Sequence, residues 1–170
     1  RLKGQLVNYK DDAVYGNGYF GAVKMSMTPG IAVSAIAQFG NVAGDRYWYA
    51  DASVKMNSGI TVFPGFAIYG FGGGAYYHMQ RNTPANILME NKSDTSAVPK
   101  PGKTDSGITY TPNKGIALGL SAKVIIGTQP SPDAFNGSVT FGMEFNSSFG
   151  LNKLYFLGDG RFMTDVDKSG

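Results

Sequence analysis

Side chains able to do acid–base, nucleophilic or metal chemistry are few in this chain. There is one histidine, His78, no cysteine, and only two glutamates, Glu90 and Glu144. A single histidine builds no multi-histidine metal site. The absence of thiols excludes a cysteine nucleophile, a thiolate metal site and a disulfide framework. Glycoside hydrolysis needs two carboxylates facing each other across a bond. Asp51 and Glu144 are the pair that a sheet could bring to one face, yet many sheets carry such acids on their solvent side. No G-x-S-x-G nucleophile elbow is present. The composition therefore predicts no catalysis.

Two glycine clusters formally match the dinucleotide fingerprint: Gly70, Gly72 and Ala75 in "GFGGGA", and Gly16, Gly18 and Gly21 in "GNGYFG". That fingerprint holds a pyrophosphate only where the glycines leave a strand and open a helix. The residues that follow, "AYYHM" and "AVKMSM", alternate as strands do, and no Lys-Ser or Lys-Thr completes a P-loop. The glycines are instead expected where a ring or a second backbone approaches closely, and no cofactor is expected. The terminal "DVDKSG" places Asp165, Asp167 and Ser169 as in the first half of a calcium loop, and equally as in a polar turn. Tyr47 and Tyr49 fall on the polar face of their segment, opposite Trp48. This trio is the candidate ligand-binding group, since exposed rings stack on sugars or anchor a protein partner. The same alternation fits a second dry face of a sandwich.

The elements that must position these residues are strands. Apolar residues recur with a period of two in "GAVKMSM" (Val23, Met25, Met27), "IAVSAIAQF" (Ile31 to Phe39), "YWYADASVKM" (Trp48 to Met56), "GIALGLSAKVII" (Ile116 to Ile126) and "FNGSVTFGMEF" (Phe135 to Phe145). Successive strand side chains point to opposite faces, so each segment has one dry and one wetter face. Turn signals separate them: "TPG" at Thr28–Gly30, "NSG" at Asn57–Gly59 and "GDG" at Gly158–Gly160. The expected helix is limited to Pro84–Asn91. The stretch 81–113 holds four prolines and much of the Ser, Thr and Lys content, and reads as one long connection.

The 170 residues suffice for one domain with a core. Charged residues make up 16%, below the roughly 25% of soluble domains. The 15 basic residues are scattered, which argues against a nucleic-acid footprint. No apolar run reaches the length of a spanning helix. The chain starts "RLKGQLVNY" and ends in a turn-like "TDVDKSG", which predicts an excised module of a longer protein.

"RYWYADASVKM" followed by "FPGFAIYGFGGGAYYHM", Arg46 to Met79, resembles β-rich segments of very large bacterial surface or secreted proteins. The resemblance implies export and carries over no functional residues. The expectation is an all-β, mostly antiparallel meander of about eight to ten strands forming a barrel or sandwich. Its expected role is a non-catalytic structural or binding module of a large exported bacterial protein, at the cell surface or outside the cell. The expected partners are neighbouring domains of the same chain and a surface glycan or protein. One alternative is a transmembrane β-barrel, or a fragment of one, in an outer membrane; the chain's lack of an aromatic strand end weighs against it. The other is a carbohydrate-binding β-sandwich.

Overall fold

The computed structural model describes residues 1–83, 100–104 and 107–162. It is an all-β antiparallel meander. Eight strands form one sheet: β1 (Leu2–Asp12), β2 (Gly16–Met27), β3 (Ile31–Val42), β4 (Asp45–Phe63), β5 (Phe66–Tyr77), β8 (Ile116–Thr128), β9 (Phe135–Asn146) and β10 (Leu151–Phe162). Each pairs with its neighbour in the order β1-β2-β3-β4-β5-β8-β9-β10, leaving β1 and β10 as edges. Two short strands, β6 (Met79–Asn82) and β7 (Thr109–Pro112), pair with each other between β5 and β8. The expected helix at Pro84–Asn91 and the calcium-like residues Asp165, Asp167 and Ser169 lie outside the described residues.

Local chemistry explains the connections. β3 and β4 are joined at Ala43 and Gly44, both at positive φ (52° and 87°), a two-residue turn whose twist suits a hairpin. The Asn41 carboxamide accepts from the Gly44 N–H and holds it closed. Thr28–Gly30 turns as expected between β2 and β3. The other two turn signals do not. Asn57–Gly59 lies inside β4, where the register against β5 slips between Lys55 and Ile60, and the chain turns instead after Phe63. Gly158–Gly160 lies inside β10 because Asp159 points inward and bonds the Ser138 hydroxyl, so the glycines are simply the outward positions.

Cross-strand partners share a face, so register assigns every side chain. One row runs Lys3, Lys24, Ser34, Ser53, Gly72, Lys123, Thr140, Leu157; the next residue along each strand gives Gly4, Val23, Ala35, Ala52, Gly73, Ala122, Phe141, Phe156. The β6–β7 hairpin packs against the first, polar face, which is therefore the inner one. Tyr15, in the β1–β2 turn, donates to the Tyr110 carbonyl of β7 at 2.8 Å. Arg81 of β6 sits 5.8 Å from the centre of the Tyr155 ring on β10. Eight flat strands would span about 34 Å, too far for one narrow hairpin to reach both margins. The sheet therefore curls around it.

The sequence predicts a dry face and a wet face, and the structure turns them the unusual way round. Gln38 and Glu144, on the inner face, are 0% and 6% exposed. Phe39, Phe71, Val124 and Phe156, on the outer face, are 57%, 48%, 37% and 69% exposed.

Candidate functional site

The inner face is built on tyrosines lying over glycines. Tyr9 and Gly18, Gly40 and Tyr47, Tyr76 and Gly119, and Gly142 and Tyr155 are all direct cross-strand pairs. A Cβ added at any of these four glycines would fall well inside contact distance of the tyrosine ring or hydroxyl. Glycine is needed here because an aromatic ring occupies its side-chain space. Tyr9, Gly18, Gly40 and Tyr47 form one row, so the two rings reach toward each other over two bare strands. Their hydroxyls meet at 2.7 Å.

A polar network grows from that meeting point. The Tyr47 hydroxyl donates to the Tyr15 carbonyl at 2.6 Å, and the Gln38 amide donates to the Tyr9 hydroxyl at 2.9 Å. The Gln38 carbonyl accepts from the Gly102 N–H at 2.6 Å, fastening the returning connection to β3. Tyr49 stacks on Tyr110 with centroids 4.4 Å apart. Tyr76 tilts against the same ring and its hydroxyl bonds Glu144 at 2.8 Å. Phe20, Met79, Ile108 and Ile116 complete the core around the hairpin. Burial raises the hydroxyl pKa of Tyr15, with Asp12 adding to it, and also that of Tyr110, with Asp51 adding. Both therefore remain neutral donors well into the alkaline range.

Tyr47→Phe deletes one oxygen that serves Tyr9, Tyr15 and Gln38 together. It is expected to cost about 1–3 kcal/mol, because the buried groups left behind lose their partner. Chemical denaturation of the variant against the parent chain measures it.

The structure places the trio Tyr47, Trp48 and Tyr49 differently from one exposed cluster. Tyr47 and Tyr49 are 2% and 0% exposed, with their rings covered by Tyr15 and Tyr110. They form a second packed layer, and neither offers a ring face to a sugar. Of the three only Trp48 faces outward, stacked on Tyr77 at 6.4 Å. His78 is structural: it takes a positive φ of 50° where the chain leaves β5, lies against the Tyr77 ring and meets the Arg46 carbonyl at 3.1 Å. Asp51 and Glu144 share the inner face, but Glu144 is buried under the Tyr76 hydroxyl. Gly70, Gly72 and Gly74 lie within β5 on the inner face and open no helix. No group of three His, Cys, Asp or Glu residues able to hold a metal occurs among the described residues.

The outer face carries the feature that the sequence pattern left without a direction. Across β2 to β5, Tyr19, Phe39, Trp48 and Tyr77 form one continuous aromatic row. At the opposite end of the strands Phe63, Phe66, Phe135 and Phe162 form a chain of ring contacts 4.9–6.3 Å apart. Between these two rims the outward positions are glycine, alanine and aliphatic or aromatic residues, without a charge. Compared with family models, curated proteins and solved structures, the chain matches none.

Proposed function

We propose that this chain is a membrane-embedded β-wall, a barrel or the greater part of one, of the outer-membrane type in a bacterial envelope. The observation that carries the reading is the inverted sheet: charge and hydrogen-bonding groups face inward, and an uncharged apolar band faces outward between two aromatic rims. Soluble proteins rarely expose a contiguous apolar patch beyond a few hundred Å². Barrels that cross membranes show this alternation, with an apolar band about 25 Å tall between aromatic girdles. On β5 the rims are marked by Phe66 and Tyr77, eleven residues apart. At about 3.3 Å per residue and a tilt of about 40°, that span projects to about 28 Å. Its role is to form a wall and to hold the inner hairpin, without catalysis.

A bilayer leaves no backbone group unpaired. The edges β1 and β10 run antiparallel to each other, as the ends of an even meander do, so they can close on each other or on flanking strands of a longer protein.

Trp48 supplies the test, because it is the only tryptophan and stands in an outer rim. Refolded into phosphatidylcholine vesicles, the chain should show Trp48 fluorescence quenched by lipids brominated on the acyl chains and shielded from aqueous iodide. A chain that stays in buffer without detergent, with Trp48 open to iodide, would sink the reading. Such a result would favour the exported soluble module, its outer face covered by a neighbouring domain.

A further inference from the structure

Among the described strands β1 and β10 each have a neighbour on one side only, so each presents a row of backbone N–H and C=O groups without a ladder partner. The two edges are 11 and 12 residues long and contain no proline. Their outward positions include Leu2, Gly4 and Leu6 on β1, and Leu154, Phe156 and Gly158 on β10. The apolar band therefore runs to both margins, where a bilayer demands that the backbone be paired.

The hairpin bears on which strand pairs with each edge. Met79 and Tyr110 are 0% exposed and pack on the wall. Alternation puts Gln80, Asn82, Thr109 and Thr111 on the hairpin's other side, and none of them is buried. They bond locally: the Asn82 amide donates to the Thr111 hydroxyl at 3.1 Å, and the Asn113 amide donates to the Gln80 carbonyl at 3.2 Å. The hairpin is thus packed on one face and polar on the other. A closed ring of eight strands, about 4.8 Å apart and tilted about 40°, is about 16 Å across. A hairpin held between two walls needs two packing distances of about 10 Å, or about 20 Å. The inner glycines give no relief, because tyrosine rings fill the space over Gly18, Gly40, Gly119 and Gly142. Sixteen strands make a ring about 32 Å across, which matches wall, hairpin, hairpin and wall at three such distances.

We infer that two copies of this chain join edge to edge, β1 of each against β10 of the other, into one sixteen-stranded wall with both hairpins inside. The chain supplies both edges in the required sense. In an even meander β1 and β10 run antiparallel, so a half-turn about the barrel axis brings each edge to its complement and the ring closes with no strand left over. The polar faces of the two hairpins then look toward each other across the axis, away from lipid. This inference rests on the membrane reading, which supplies the demand for paired edges.

The test uses the full chain folded in a zwitterionic detergent. Light scattering on the parent chain should give a protein mass of two chains that does not grow with concentration. The chain has no cysteine, so cross-links can be placed at will. Copies carrying Leu6→Cys, Asn8→Cys or Lys10→Cys, outward on β1, are refolded together with copies carrying Phe156→Cys, Gly158→Cys or Phe162→Cys, outward on β10. A short bis-maleimide should join β1 copies to β10 copies in the pairs that share a height. A mass of one chain overturns the inference, as does a mass of two chains with no β1-to-β10 cross-link in any pair. So does a cross-link closing within one chain when both cysteines are on it. A single chain whose Trp48 is still quenched by brominated lipid overturns the pairing of copies and leaves the membrane reading standing. Two cross-linked chains that remain in buffer with Trp48 open to iodide do the reverse.

Discussion

Val124→Arg should destabilise the bilayer-inserted chain by about 2–4 kcal/mol, the cost of an arginine facing lipid near the midplane of a barrel. Val124 occupies the outer row Met25, Val33, Val54, Phe71, Val124, Val139, midway between the two aromatic rims. It is 37% exposed and touches no polar neighbour across the ladder, being paired with Phe71 and Val139. An exposed valine on a water-facing sheet would accept the same change within about 0.5 kcal/mol and gain solubility. The two media therefore give opposite outcomes for one substitution. Urea unfolding from vesicles, with the variant beside the parent, reads the difference. Ser26→Arg, an exposed position of the inner face, provides the matched control and should be close to neutral. A neutral Val124→Arg in vesicles would place water, not lipid, against this face.

Gly119→Ala is expected to cost about 2–6 kcal/mol, a large effect for one methyl group. The new Cβ would stand within the Tyr76 ring, which lies directly over Gly119. The ring cannot shift sideways without leaving Tyr110, against which it packs, or Glu144, which its hydroxyl bonds. Overpacking accounts for about 1–3 kcal/mol. Releasing the Glu144 carboxylate, 6% exposed, from its donor adds about 1–3 kcal/mol more. A double-mutant cycle separates the parts. Gly119→Ala combined with Tyr76→Ala should fall well short of the sum of the single losses, because both remove the same ring contact. Full additivity would mean that the glycine is not there for the ring.

Most of the fold was legible in the sequence. The alternating segments around Met25, Ala35, Ala52, Ala122 and Phe141 became strands with the expected faces, since a period of two follows from the backbone itself. Turns read less well. Asn57–Gly59 and Gly158–Gly160 carry turn residues, yet a register slip absorbed the first and an inward hydrogen bond by Asp159 absorbed the second. The glycines of "GFGGGA" were legible as strand positions, but not their tyrosine counterparts. Gly119 and Tyr76 are 43 residues apart in the chain, and no local pattern pairs them.

By itself the sequence determined the strands and their alternation, because each is a property of short stretches. The tertiary structure alone decided which side of the sheet is inside. Curvature and the return of the β6–β7 hairpin enclose the tyrosines, Gln38 and Glu144, and they leave Phe39, Phe71, Val124 and Phe156 facing outward. Alternation is local, whereas the choice of inner face depends on contacts such as that of Tyr15, in the β1–β2 turn, with Tyr110 of β7, 95 residues away.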